Sequence, residues 1–98
     1  MIYELATIEV SEGGNAGFED GVRRAVPLFQ QARGFRSVDL QRSIEHPQRY
    51  RLVVGWDTVE DHMVHFRESP AFQEWRALVG PFFATPPAVE HVEGVALG

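Results

Sequence analysis

The chain has 98 residues, 44% of them hydrophobic and 23% charged, which are ordinary values for a globular domain. Its formal net charge of −5 counts against nucleic-acid binding, which requires a basic face. Cysteine is absent, which excludes disulfides and thiolate metal sites. The opening MIYELATIEV lacks the features of a signal peptide, and no apolar run approaches the roughly 18 residues of a membrane span. We therefore expect one cytoplasmic globular domain over residues 1–98.

The first third of the chain predicts a strand followed by a helix. Residues 2–10 alternate between apolar and polar, and the segment SEGGN then breaks the pattern. From Phe18 onwards apolar residues recur every three or four positions, which indicates a helix with one buried face. Pro27 lies inside this pattern and predicts a kink or a tightened last turn, and Gly34 is expected to close the helix.

Two further alternating segments predict a β-hairpin. FRSVDLQRSIE places Val38, Leu40 and Ile44 on one face, opposite Ser37, and the turn HPQ follows. RYRLVVGW then alternates again. Two alternating runs joined by a short turn are typical of an antiparallel pair. The face of the second arm expected to be buried carries Tyr50, Leu52, Val54 and Trp56.

The last third predicts a helical region in two parts and a final strand. Thr58 and Asp61 form a capping box that starts a helix on Val59. Ser69 and Pro70 have the signature of a second helix start, so the region is expected to break there. AVEHVEGVAL, residues 88–97, predicts the last strand. The resulting order, β-α-β-β-α-β, is the ferredoxin-like α+β plan, with an antiparallel four-stranded sheet and both helical regions on one face.

This plan leaves the other face of the sheet without a cover. Phe35 and Val53 are expected on that face, together with one side of each terminal strand. Burying apolar surface is favourable by about 25 cal/mol per Å². We therefore expect a two-fold homodimer.

Several stretches together resemble a known family. They are the opening strand, the ARGFRSVDLQRSIEHPQRYRLVVGW hairpin, DTVEDHMVHFRESPAFQEWR, VGPFF and PPAVEHVEGV. Over nearly the whole chain these segments are similar to the antibiotic biosynthesis monooxygenase family of dimeric α+β barrel proteins. The resemblance implies the same fold. Its members include oxygenases that oxidise aromatic substrates without metal or flavin, haem-degrading enzymes and proteins of unknown activity, so fold does not choose among these activities.

The haem-degrading branch of that family can be compared residue by residue. Its pattern has an asparagine on the first strand, a tryptophan on the second helix and a histidine ligand about ten residues later. Here Thr7, His65 and Trp75 occupy those three positions. The resemblance therefore argues against haem degradation, and nothing in the sequence requires a metal or another cofactor.

Histidines are the candidate proton-transfer groups. At about 100° per residue, Val59, Met63 and Phe66 define the inward side of the second helical region. His62 then lies about 60° from that direction and His65 about 120° from it. We expect His62 to be the catalytic base in a pocket and His65 to lie at the rim or in solvent, although a half-buried structural histidine bonded to backbone would show the same pattern as His62.

The last histidine and the aromatic residues complete the predicted pocket. His91 either converges with His62 on one cavity, if its strand face meets the helices, or lies in the subunit interface. The aromatic rings either fill the core or form the walls of a flat slot for a planar ligand. The predicted slot residues are Trp56, Trp75, Tyr50, Phe29, Phe72 and Phe82.

The resemblance and the pocket together predict a cofactor-independent monooxygenase that oxidises a small aromatic or polyketide-like molecule with O2. A base would help to deprotonate a phenolic substrate, whose anion reduces oxygen directly in a dry pocket. The alternatives are a non-catalytic dimeric module that binds a small hydrophobic ligand, and an isomerase or cyclase that uses the same pocket. Neither a nucleic acid nor a membrane is expected as a partner.

Overall fold

A computed structural model describes all 98 residues of the chain. Four strands form one sheet, and the helices lie against one of its faces. The predicted ferredoxin-like order is confirmed. The strands are β1 (Ile2–Glu9), β2 (Phe35–Arg42), β3 (Arg49–Trp56) and β4 (Ala88–Val92). The helical elements are α1 (Asn15–Gln30), a π-helix (Asp61–Phe66), α2 (Pro70–Val79) and a 3₁₀ turn (Gly80–Phe82).

The sheet is antiparallel throughout, with the strands in the order β2-β3-β1-β4. Alternate side chains of the two central strands point towards the helices and are buried, as the period-two pattern predicts. These inner-face residues are Ala6 and Ile8 on β1 and Tyr50, Leu52, Val54 and Trp56 on β3. Each side chain of valine size or larger contributes about 1.5–3 kcal/mol by leaving water.

The helices cover this inner face with an aromatic layer. Phe29 of α1 stacks on Phe66 of the π-helix at 5.0 Å between ring centroids and meets the edge of Trp75 of α2 at 5.1 Å. Such offset and edge-to-face contacts add stability beyond the buried area. The apolar stripe of α1 is therefore buried as predicted. None of the helices is both long and apolar enough to cross a membrane.

Helix α1 begins at Asn15, before Phe18, where the apolar pattern starts. It continues through Pro27 to Gln30. The last turn then tightens, since Ala32 N donates to Phe29 O at 2.9 Å in an i→i−3 bond. Gly34 has φ of +76° but lies beyond the helix cap, in the turn that leads into β2.

Three strand predictions are wrong in detail. An irregularity between Phe35 and Ser37 adds one residue to β2 and reverses its alternation. Phe35 therefore lies on the inner face, edge-on to Trp56 at 6.4 Å, and not on the uncovered face. Ile44 is 90% exposed because β2 ends at Arg42. β4 ends at Val92, and residues 93–98 form no regular structure.

The second helical region begins and breaks where predicted. Asp61 N donates to Thr58 Oγ1 at 3.1 Å, and that hydroxyl donates to Asp61 Oδ2 at 3.0 Å. Pro70 then starts α2 after Ser69. The first part is a π-helix, however, with Arg67 N bonded to His62 O at 2.9 Å. Its i→i+5 pattern widens the turn, so the angles of an α-helix do not apply to it.

Replacing Gly34 by alanine should destabilise the fold more than replacing Gly13. Both glycines have positive φ, +76° and +83°, so both variants incur a backbone cost of about 1–2 kcal/mol. A Cβ on Gly34 would also overlap the carboxylate of Asp61, whereas a Cβ on Gly13 meets nothing within 4 Å. We expect Gly34→Ala to lose at least about 1 kcal/mol more by urea unfolding. Equal losses would contradict this packing.

Candidate active site

A cavity of about 750 Å³ opens between the inner face of the sheet and the second helical region. Its floor is formed by β1 and β3, and its walls come from the π-helix, α2, β4 and the segment before β4. A volume of this size suits a small organic ligand. The apolar lining residues include Ala6, Ile8, Leu52, Met63, Phe72, Trp75, Phe83 and Val89.

Glu4 places a carboxyl group inside this largely apolar cavity. Its position on β1, in phase with Ala6 and Ile8, turns the side chain towards the helices, where it is 6% exposed. Trp56 Nε1 donates to Glu4 Oε1 at 3.1 Å. Burial raises the pKa of Glu4 from 4.5 to about 7, because the charged form loses its water, and the Trp56 bond offsets part of that rise. Glu4 can therefore gain or lose a proton near neutral pH.

His62 lies between Glu4 and the second cavity histidine. Its Nε2 is 3.3 Å from Glu4 Oε1, and its Nδ1 is 2.8 Å from His91 Nε2. The ring is stacked on the Trp56 indole, with centroids 5.6 Å apart and planes 15° apart. Burial, with smaller contributions from the neighbouring His91 and Arg67, lowers the pKa of His62 from 6.5 to about 4. His62 is thus held in its neutral form.

His91 is the outer end of the same chain of side chains. It pairs with Glu4 across the β1–β4 ladder, which brings its half-buried ring beside His62. Its Nε2 faces His62, and no protein group bonds to its Nδ1. Of the four ring nitrogens in these two histidines, only His91 Nδ1 has no polar protein atom as a hydrogen-bond or ion-pair partner.

Two arrangements of protons satisfy this chain equally well. In the first, Glu4 is ionised, His62 donates from Nε2 to it, and His91 donates from Nε2 to His62 Nδ1. In the second, Glu4 is protonated and donates to His62, which donates from Nδ1 to His91 Nε2. A neutral imidazole has one donor and one acceptor nitrogen, so each ring only exchanges its tautomer. The chain can therefore carry one proton between Glu4 and the cavity.

Four of the predicted site residues meet at the cavity, and His65 does not. His62, His91, Phe72 and Trp75 line it, and His91 lies beside His62, which is the first of the two positions expected for it. His65 is exposed on the other side of the π-helix. The expected inward direction is also wrong, because Val59 is 42% exposed while His62 is 5% exposed. The wider π turn moves the buried side onto His62 and Phe66.

The remaining predicted slot residues lie elsewhere. Trp56 lies behind Glu4 and His62 and supports both, without lining the cavity. Phe29 is enclosed in the core. Phe83 lines the cavity in place of Phe82, which packs near Gly17. Tyr50 lies at a second, smaller cavity of about 460 Å³, where it donates to Glu19 and accepts from Asn15 Nδ2 at 2.9 Å.

Glu4 is a residue of the candidate site that the sequence patterns did not single out. Its signal is present in the alternation of β1, because Glu4 has the same parity as Ala6, Ile8 and Val10. A carboxyl group on the apolar face of a central strand is rare unless it is paired. The pattern of residues 2–10 would therefore have indicated either a structural partner or a functional acid.

Comparison with known proteins agrees with this architecture. A model of the antibiotic biosynthesis monooxygenase family matches residues 1–78. The chain belongs to that family. An uncharacterized protein of Bacillus subtilis (strain 168), YczJ, is 38% identical over 95 residues, which cover 97% of this chain and 100% of the relative.

Solved structures of the antibiotic biosynthesis monooxygenase family share the fold. A Bordetella bronchiseptica protein, described as a "Putative antibiotic biosynthesis monooxygenase", is 58% identical, with a TM-score of 0.96 and 97% of both chains covered. A Caulobacter crescentus protein described in the same words is 22% identical, with a TM-score of 0.84 over 97% of this chain and 90% of that one. The second likeness shows the fold alone.

Replacing Glu4 or His62 by an uncharged glutamine should change the pH dependence of the protein's stability, and the two replacements should change it in opposite directions. The raised pKa of Glu4 weakens the fold as pH rises from 4.5 to about 7. The lowered pKa of His62 weakens it as pH falls from 6.5 to about 4. In the wild type these two slopes largely cancel where the windows overlap. Glu4→Gln should lose stability towards acid, and His62→Gln should lose it towards neutral pH.

Urea unfolding of both variants between pH 4.5 and 6.5 measures this difference. Each slope approaches at most about 1.4 kcal/mol per pH unit, and titration of groups elsewhere cancels when the variants are compared. Parallel pH profiles for the two variants would show that the side chains do not titrate as a buried pair.

Proposed function

We propose that this chain is a cytoplasmic monooxygenase that oxidises a small hydroxyaromatic molecule with O2, using its own side chains for proton transfer. The observation that carries this proposal is the chain of polar contacts Glu4–His62–His91, 3.3 Å and 2.8 Å long, which ends with a free nitrogen in an apolar cavity. Family membership supports the reaction class, and the cavity supports a planar, largely apolar substrate.

His91 is the group that meets the substrate in this mechanism. His91 Nδ1 accepts the hydroxyl proton of the substrate while its Nε2–H passes to His62 Nδ1. His62 in turn gives its Nε2–H to the Glu4 carboxylate, which becomes a carboxylic acid. Each ring takes one proton and releases one, so neither becomes a lasting buried cation. This assigns His62 to the middle of a relay, because each of its nitrogens already faces a polar atom of the protein.

The pKa of Glu4 makes it a suitable acceptor for that proton. An acceptor works best when its pKa lies near the working pH, and burial brings that of Glu4 to about 7. Trp56 holds the carboxyl oxygen in place and covers the ring of His62, so the relay keeps its geometry when the proton moves.

Oxidation follows from the anion that the relay leaves in the cavity. The electron-rich phenolate transfers electrons to O2 and forms a bond to one oxygen atom. Overall the substrate loses two hydrogens and gains one oxygen atom, and the other oxygen atom leaves as water. The apolar walls exclude bulk water from the reactive anion, while Glu4 returns its proton to the departing oxygen.

A second candidate activity is isomerisation or cyclisation in the same cavity. The observation that favours it is the symmetry of the relay, which can return a proton to a different carbon as readily as it removes one. Turnover under strict exclusion of oxygen would identify this activity. Uptake of oxygen coupled to substrate loss would identify the monooxygenase activity.

The assembled protein is proposed to be a homodimer formed through the outer face of the sheet. Apolar side chains remain partly exposed there because the helices lie on the other face. They include Tyr3, Leu5, Val53 and Val92. A second copy would cover this surface, whose apolar character disfavours contact with water.

Oxygen uptake with a panel of hydroxyaromatic compounds tests the reaction. We expect uptake that requires substrate but no added flavin or metal. His62→Ala should reduce the rate at least about tenfold, because the relay is interrupted. His65→Ala is the matched control, since that side chain is exposed on the same helix, and its rate should stay within about twofold of the wild type. Equal effects of the two substitutions would contradict the relay.

The same assay can test the role of Glu4. The wild-type rate should rise with pH as Glu4 ionises, with a midpoint near its pKa of about 7. Glu4→Gln keeps an acceptor for Trp56 but cannot take the proton, so it should lose both activity and this pH step. A step that persists in Glu4→Gln would assign the proton acceptor to another group.

Light scattering with size exclusion tests the dimer. The wild type should run at twice its subunit mass of 11.1 kDa at micromolar concentration. Leu5→Glu places a charge on the outer sheet face and should shift the equilibrium to monomer, whereas Val59→Glu changes an exposed valine of the helical layer and should not. A wild-type monomer at that concentration would exclude the dimer.

A further inference from the structure

The arginines of this chain divide into paired and unpaired groups. Lysine is absent, so the nine residues counted as positively charged at pH 7 are all arginines. Six of them lie within 4.0 Å of an aspartate or glutamate oxygen. In a chain with a net charge of −5, pairing is the expected state of a guanidinium group. The paired residues are Arg23, Arg24, Arg33, Arg36, Arg42 and Arg49.

Two of the three unpaired arginines line the cavity of the candidate active site. Arg67 follows the π-helix and Arg76 lies on α2, and the side chain of neither has a carboxylate or hydrogen-bond partner in the protein. The third, Arg51, lies on the outer face of the sheet. Glu4 is the one carboxylate among the cavity residues, and it is bonded to Trp56 and His62.

The surroundings of both guanidinium groups favour an anion attached to an aromatic body. Arg76 lies over the ring of Phe72, with its Cζ 5.9 Å from the centroid, at the apolar wall of the cavity. Arg67 is near enough to His62 for its positive charge to disfavour protonation of the imidazole ring. Positive charge beside a relay that removes a proton also stabilises the anion that remains.

We propose that Arg67 and Arg76 form an anion-binding subsite at the cavity, so that its ligand is a hydroxyaromatic carboxylic acid. This inference rests on the proposed function in one respect, namely that the cavity is where the substrate binds. The apolar walls hold the ring, the guanidinium groups bind the carboxylate, and the hydroxyl group faces His91.

Guanidinium geometry and the charge of the site favour a carboxylate over a phosphate monoester. Arginine presents parallel N–H donors that match two coplanar carboxylate oxygens. One arginine can neutralise the single charge of a carboxylate. The second arginine then offsets the charge of the phenolate that forms on deprotonation. A dianionic phosphate would carry more charge into a largely apolar cavity that already holds Glu4.

Binding measurements at pH 7.5 test the subsite without requiring turnover. Calorimetry should compare 1-hydroxy-2-naphthoate with 1-naphthol, which lacks the carboxylate. The wild type should bind the acid at least about tenfold more tightly than the neutral compound, as charge-assisted hydrogen bonds contribute that much. Arg67→Gln and Arg76→Gln should each weaken the acid about tenfold and leave 1-naphthol within about twofold.

Arg24→Gln is the charge-matched control, because Arg24 is paired with Asp20 on the exposed side of α1. It should leave both affinities unchanged. Added salt should weaken binding of the acid to the wild type and have less effect on the double variant Arg67→Gln/Arg76→Gln.

Three results would overturn the inference. They are equal affinities for the acid and 1-naphthol, an Arg24→Gln effect as large as that of the cavity variants, and tighter binding of 1-naphthyl phosphate than of the acid. Failure of the proposed oxidation has a different signature. In that case the acid binds through both arginines, but no oxygen is consumed.

Discussion

The burial of the Glu4 carboxyl group is the constraint on which the rest of the site depends. A carboxylate in an apolar cavity is costly, and in this chain the cost is offset by two partners. Trp56 donates to Glu4 at 3.1 Å and His62 lies 3.3 Å away. The two partners are themselves stacked, so the three side chains form one rigid unit. Burial raises the pKa of Glu4 to about 7 and lowers that of His62 to about 4.

The fold supplies each part of this unit from a different element. Strand β1 is central in the sheet, so a side chain on its inner face cannot reach water except through the cavity. Strand β4 pairs with β1 and brings His91 opposite Glu4. The π-helix, which starts at the Thr58 and Asp61 cap, turns His62 inwards. The π geometry is uncommon and is often found at functional sites, which agrees with its position beside the candidate site.

The sequence predicts the elements of the fold well because their signals are local. The helix cap at Thr58, the break at Pro70 and the alternation of β1 and β3 depend on residues that are close together in the chain. The errors arise where tertiary structure changes the phase of a pattern. The extra residue near Phe35 reverses β2, and the π turn rotates the inward direction away from Val59.

The site was only partly predictable for the same reason. His62 and the cavity aromatics Phe72 and Trp75 follow from the sequence, and the position of His91 is one of two alternatives. Glu4 could have been found from its parity on β1. The sequence could not have shown that the guanidinium groups of Arg67 and Arg76 are unpaired, because salt-bridge pairing depends on distances between elements that are far apart in the chain.

An NMR titration of the Glu4 carboxyl carbon and the His62 ring nitrogens measures the buried unit directly. If the carboxyl group and the imidazole are coupled as described, Glu4 titrates near pH 7 and His62 remains neutral down to about pH 4. Assignment of the ring nitrogens should also show one protonated nitrogen on His62 throughout that range. Titration of Glu4 near 4.5 and of His62 near 6.5, the values of exposed groups, would contradict the buried proton relay.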